Sequence, residues 1–397
     1  MGNRILFVVS GAYGDLTQAV SFLFGQAFSG DTAVALPPKL YRLNHSSLPI
    51  QTYKFRSAKD IIRAAVEWKA RIVFFLSGYG LPIERVMSPS EVRPFMEYLN
   101  EQNCRVVTSD PFLGSASKIT VSDILGMLPQ PDGIVSSFFF LHVARRIAKK
   151  LLQASDALEN VVHLYPAPTD EITNRGRVQR ISFFNRELSR RDPVWESVDH
   201  RSKFTASRRS AEKTWLFMLA PSDATLQERK WGAAIFANQL AHMIEHTRAA
   251  GKRPVLLGPS WVIKKIKRAL PAETEPDLLT FCAFTEFSRL LLNAEYVFSW
   301  NIFSCSAAFM RLPRRLPVIY FDKGHVAEFS RLVYEDGVRC YFNGWEPSQI
   351  DPREFDNEIV AKVASEQGPA LEALLAYWNR SPTPQQVIEQ LLNDPAG

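Results

Sequence analysis

Ile5-Leu6-Phe7-Val8-Val9-Ser10-Gly11-Ala12-Tyr13-Gly14-Asp15-Leu16-Thr17 runs from an apolar block, through two glycines, into a helical pattern that continues to about Phe28. An apolar run without alternation reads as a strand buried on both faces, and the glycines permit a tight turn into the helix. Strand, glycine turn, helix is the opening unit of a doubly wound α/β domain.

The same rhythm repeats along the first half. Strand-like runs follow at Thr32–Leu36, Arg71–Leu76, Arg105–Thr108 and Val161–Leu164, separated by helical stretches at Ala58–Lys69, Pro89–Asn100 and Leu141–Gln153. Such alternation predicts a parallel sheet covered on both faces. It breaks down from Thr169 to Lys213, where residues 175–213 carry eleven Lys or Arg against five Asp or Glu. It resumes with strand Trp215–Leu219, loop Ala220–Thr225 and a helix over Gln227–Ala249. Strand Pro254–Leu257, helix Trp261–Leu270, strand Leu279–Phe281, helix Glu286–Asn293 and strand Tyr296–Ser299 follow. A Ser-rich turn, a short helix and strand Pro317–Phe321 complete a second doubly wound unit. The expected organisation is therefore 1–168, a first Rossmann-like domain; 169–213, a basic connection; 214–365, a second Rossmann-like domain; and 366–397, C-terminal helices. A chain of 397 residues has the length for two cores.

Composition is globular, 46% hydrophobic and 22% charged, and the net charge of +6 favours anionic partners. Cys104, Cys282, Cys305 and Cys340 lie far apart with no CxxC pair, as free thiols of a reducing compartment do. The Ile5–Val9 run is too short for a signal peptide or a membrane span. The expected location is the cytoplasm. No GxSxG elbow, P-loop, HExxH or zinc-type cysteine spacing occurs, which removes support from serine hydrolase, P-loop kinase and zinc enzyme. His242 and His246 stand one helical turn apart without a supporting acid, a solvated helix face rather than a metal site.

Ligands of open parallel sheets bind beyond the carboxyl ends of the strands, so the loops there hold the candidates. In the first half these are Gly11, Tyr13, Gly14 and Asp15 after the first strand, Tyr79 in the Ser77-Gly78-Tyr79-Gly80 loop, and Asp110 at the end of another strand. Asp15 has two readings, a general base for a hydroxyl or a helix cap; Asp110 is a cleft acid or a turn former. In the second half three loops converge: Ala220-Pro221-Ser222-Asp223, Gly258-Pro259-Ser260 and Ser299-Trp300-Asn301-Ile302-Phe303-Ser304-Cys305-Ser306. Small hydroxyl residues among exposed backbone N–H groups suit a diphosphate, which singles out Ser222, Gly258, Asn301, Ser304 and Ser306; N-capping is the alternative for any one serine. After the last strand, His325 and Glu328 are candidates to contact a phosphate or sugar hydroxyl. Arg229, Lys230 and Lys264 are candidate phosphate partners or solvated helix charges.

The succession Trp215–Leu219, Pro254–Gly258, Phe284-Thr285-Glu286-Phe287, Val297–Asn301 with Ser304-Cys305-Ser306, and Leu316-Pro317-Val318-Ile319 resembles the C-terminal domain of GT-B glycosyltransferases. The first half, with Gly11 and Gly14 between its first strand and helix, is similar to the acceptor domain of that superfamily. The resemblance implies two Rossmann-like domains facing a cleft and a nucleotide-diphosphate sugar as co-substrate, with neither metal nor further cofactor. It also implies transfer to a small-molecule or glycan acceptor. Asp15 takes the place of the base, with His325 as a second catalytic candidate. Ala307-Ala308-Phe309-Met310 stands where many members carry a Glu for the donor ribose. The same architecture serves nucleotide-sugar epimerases and hydrolases, and a catalytically dead scaffold also fits the missing Glu. The basic 175–213 segment, with Phe183, Phe184, Trp195 and Phe204 among its charges, admits a nucleic-acid partner or an RNA-linked (tRNA) substrate, or else a solvated connection whose aromatics pack on a domain.

Overall fold

The computed structural model describes residues 4–9, 16–17, 31–48, 50–110, 112–114, 116–127, 134–168, 179–189, 213–270, 277–280, 282–321 and 331–393. Its strands are β1 (Ile5–Val9), β2 (Thr32–Leu36), β3 (Gln51–Lys54), β4 (Ile72–Leu76), β5 (Arg105–Ser109), β6 (Val162–Tyr165) and β7 (Arg180–Ser182) in the first half. The second half has β8 (Thr214–Met218), β9 (Arg253–Leu257), β10 (Asp277–Leu279), β11 (Tyr296–Ser299), β12 (Val318–Phe321) and β13 (Gln349–Ile350). β1 and β4 at the centre of the first sheet are apolar throughout, and they and β2 are wholly buried, as a sheet covered on both faces requires.

Two all-parallel sheets result, one of seven strands in the order β3-β2-β1-β4-β5-β6-β7 and one of six in the order β10-β9-β8-β11-β12-β13. Ile5 pairs with both Thr32 and Ile72, and Val297 with both Leu216 and Val318. Strand order reverses beside β1 and β4 in the first sheet and beside β8 and β11 in the second. These are the topological switch points at which a doubly wound sheet opens a crevice.

The helices that matter below are α1 (Pro38–Asn44), α2 (Ala58–Trp68), α3 (Gly80–Ile83), α4 (Pro89–Glu101), α5 (Val121–Met127) and α6 (Ile134–Ala157). In the second half they are α7 (Pro221–Trp231), α8 (Ala233–Ala249), α9 (Ser260–Ala269), α10 (Phe284–Asn293), α11 (Cys305–Arg311), α12 (Arg331–Phe342), α13 (Asn357–Trp378) and α14 (Pro384–Asn393).

Several elements differ from the sequence reading. Ala220–Thr225 is not a loop: helix begins at Pro221 and breaks at Gly232, whose φ of +86° suits glycine, before α8 starts. The 169–213 stretch is not only a connection, since Arg180–Ser182 adds the seventh strand to the first sheet. Phe183 and Phe184 are buried there, so they are core residues and not base-stacking platforms; Trp195 and Phe204 lie outside the described residues. The C-terminal helices return to the first domain. Trp378 is fully buried between Phe184 and Phe309, at 5.3 and 5.4 Å between ring centroids, and its indole N–H donates to the Tyr341 carbonyl at 2.7 Å.

Candidate functional site

The turn from β11 into α11 is built by its own short polar side chains. Asn301 Oδ1 accepts from Phe303 N at 2.9 Å, Ser299 Oγ accepts from Asn301 N at 3.2 Å, and Ser304 Oγ caps α11 by accepting from Ala307 N at 3.5 Å. Apolar neighbours hold the rest. Trp300 is buried against Phe321, 4.6 Å between centroids, and Phe303 lies on Gly337 so closely that a Cβ there would stand 2.5 Å from its ring. At the far end of α11 the Arg311 guanidinium, fully buried, donates to the carbonyls of Leu291, Ala294, Glu295 and Pro317 at 2.5 to 3.2 Å. Burial pulls its pKa down to about 9, which still leaves the cation charged at neutral pH. One side chain thus fixes the end of α10 and the starts of β11 and β12 around the short helix.

Ser306 does not cap α11. It is buried, and its hydroxyl lies 2.9 Å from the hydroxyl of Thr17, which is equally buried in helical backbone beyond β1. The two switch points therefore meet. Further contacts cross between the halves: among them, Asn44 Oδ1 accepts from Phe284 N at 2.6 Å, and Arg229 donates to the Leu125 and Gly126 carbonyls at 3.1 and 2.8 Å. Leu113 and Tyr165 of the first domain also pack on Cys340 of α12.

Gly11, Tyr13, Gly14, Asp15, His325 and Glu328 lie outside the described residues. Ser222 sits in the first turn of α7, where its neighbour Asp223 accepts from Ala220 N at 3.1 Å. Gly258 donates its N–H to Leu279 O at 3.0 Å, and a Cβ there would be 3.6 Å from Leu219, an ordinary contact. Ser222, Gly258 and the 299–306 turn all follow strands of the second sheet at their carboxyl ends.

Tyr79 and Asp110 are drawn inward. The Tyr79 hydroxyl lies 3.1 Å from His163 Nε2, while His163 Nδ1 is 2.9 Å from the Val161 carbonyl. The carbonyl requires a proton on Nδ1, leaving Nε2 to accept from the phenol. Burial holds His163 below its usual range and raises the Tyr79 hydroxyl. Asp110 is a turn former here: its carboxylate accepts from Phe112 N at 2.8 Å, Gly114 N at 2.6 Å and the Tyr165 hydroxyl at 3.1 Å. Gly78 is required by space, since a Cβ would stand 2.8 Å from Thr108 Oγ1.

Of the cations, Arg229 bridges the halves, Lys230 lies 5.1 Å from the Trp231 ring centroid, and Lys264 is exposed. Lys230 and Trp231 line a hollow of about 610 Å³ with Glu346, Gln349, Asp351 and Arg353, apart from the Ser-rich turn. Nothing in the sequence marks that hollow, because its far wall is the two-residue strand β13 and its flanks. Sequence reasoning also passed over Glu286 on α10, beside the Asn44 contact, whose carboxyl burial raises. Among the described residues no cluster of three His, Cys, Asp or Glu could hold a metal, and no helix is long and apolar enough to cross a membrane.

No protein-family model matches the sequence, and no curated protein sequence matches it either. Solved structures do. A Listeria monocytogenes protein assigned as a UDP-N-acetylglucosamine 2-epimerase superposes with a TM-score of 0.53 at 10% identity, over 96% of this chain and 92% of its own. The UDP co-structure of S. aureus MnaA gives 0.52 at 11% identity, over 98% and 95%. A UDP-glucose:anthocyanidin 3-O-glucosyltransferase in complex with UDP gives 0.51 at 10%, over 100% and 95%. What this chain shares with all three is the GT-B-like fold, two parallel-sheet α/β domains set carboxyl edge to carboxyl edge.

Proposed function

We propose that this protein binds a nucleotide-diphosphate sugar against the 299–306 turn and transfers the sugar to a hydroxyl of an acceptor held by the first domain. The observation that carries this reading is the 2.9 Å hydrogen bond between Thr17 and Ser306. It ties Thr17 of the first domain, two residues beyond Asp15, to the Ser-rich turn of the second. In the proposed step the Asp15 carboxylate takes the acceptor's proton, the acceptor oxygen bonds to the sugar's anomeric carbon, and that carbon's bond to the phosphate oxygen breaks. The departing diphosphate turns its charge toward backbone N–H groups of the 304–306 turn and the first turn of α7, with His325 and Glu328 on the sugar. No metal ion is assigned a part. Because Thr17 and Ser306 are buried against each other, this arrangement is the closed one, and the donor enters when they part.

The UDP present with two structures of the same fold supports trying uridine nucleotides first. Thermal shift against UDP, GDP, ADP and CDP is expected to give one clear stabilisation, about 2.7 kcal/mol at a hundredfold excess over Kd. Incubation of the matching sugar nucleotide with acceptors is then expected to yield glycoside, with Asp15→Asn lowering the rate by about 10²–10⁴. An isomerised sugar nucleotide, or free sugar without transfer, would replace the transferase reading with the epimerase or hydrolase one.

A further inference from the structure

We propose that the outer face of α6 docks the protein on an anionic lipid bilayer. α6 spans the 24 residues Ile134–Ala157, about 36 Å at the α-helical rise. Ala144, Leu151 and Ala154 are buried on its inner side. On the opposite side Phe138 and Phe139 stand 70% and 64% exposed, and Arg145, Arg146 and Lys149 follow on the same face, all exposed. Among the described residues these three cations have no carboxylate or carbonyl partner, while Asp156, near the other end, is the helix's one acid. Lys150 beside them donates to the Pro82 carbonyl at 2.5 Å. Its ammonium is held below its usual range by burial first and then by the nearby Arg146 and Arg85. Positive charge is therefore concentrated at this place.

The combination selects the partner. Cations alone would suit any polyanion, but two phenyl rings on a convex helix ridge have no groove in which bases could be tracked and stacked. They are placed to enter the acyl boundary while the arginines and lysine reach the phosphates beside them. Four cations within six residues keep the helix from crossing a bilayer, so it lies on the surface.

Co-sedimentation with phosphatidylcholine vesicles, with and without phosphatidylglycerol, tests this on the full chain. Binding is expected only with phosphatidylglycerol and to weaken with salt. Arg145→Glu/Arg146→Glu/Lys149→Glu is expected to reduce partition by more than a hundredfold, since removing the three cations alone costs about fivefold each. Phe138→Ser/Phe139→Ser is expected to reduce it about tenfold. The neutral Arg145→Gln/Arg146→Gln/Lys149→Gln should fall between, and thermal melting confirms that each variant is folded. Lys267→Glu/Arg268→Glu on α9 controls for net charge, and loss as large as that of the α6 variants overturns the proposal. So does wild-type protein that stays in the supernatant at low salt, or α6-dependent binding to polyuridylate with none to vesicles.

Discussion

At the scale of single residues, His163 is the buried partner that makes the cleft candidate Tyr79 structural. Desolvation lowers its pKa while the unfolded chain keeps an ordinary imidazole. Between the lowered folded value and the ordinary imidazole value of 6.5 the unfolded state binds the extra proton, so this contribution to stability is present above 6.5 and is lost as pH falls through that window. The unfolding free energy from urea titration is expected to drop on acidification from pH 7, by up to about 1.4 kcal/mol per pH unit, and the drop should flatten in His163→Gln. An undiminished pH response in that variant would assign the effect elsewhere. Gly337→Ala belongs to the same scale. A Cβ 2.5 Å from the Phe303 ring must push the ring out of the turn that carries Ser304, at about 1–3 kcal/mol by chemical denaturation.

At the scale of elements, Arg311 is the clearest case. Its guanidinium satisfies carbonyls at the end of α10 and at the starts of β11 and β12. Arg311→Met is expected to leave those acceptors buried and unpaired, costing about 3–5 kcal/mol, with Arg311→Lys recovering only part because an ammonium lacks the planar fork. Elements were legible in the sequence where burial was complete. The apolar runs of β1, β4 and β12 announce themselves. β3, read as Gln-Thr-Tyr-Lys, is an edge strand of polar residues, and β13 is too short for any periodicity to show. The break between α7 and α8 turns on the backbone of one glycine within an apolar pattern that continues across it. Tyr79 and Asp110 stood correctly at strand ends, yet whether such a side chain faces a cleft or a core depends on partners distant in sequence, here His163 and Tyr165.

For the whole molecule, the two sheets are joined at their carboxyl edges and again behind them by the returning C-terminal helices. Trp378→Ala is expected to cost about 3–5 kcal/mol and to loosen α13 and α14 from the first domain, visible as faster amide exchange at Phe184, whose N–H donates to Pro382 O at 2.9 Å. The Asn44 contact belongs to this scale as well. Phe284 is the first residue of α10, and its backbone N–H is satisfied not by its own chain segment but by a side chain of the opposite domain. Separation of the halves therefore frays a helix: whatever opens the cleft also uncaps α10 and exposes Glu286 in its first turn. Asn44→Ala is expected to cost about 1 kcal/mol and to raise exchange at the start of α10. The inter-domain seam thus serves as part of the second domain's secondary structure, coupling how wide the molecule stands open to how ordered one of its helices is.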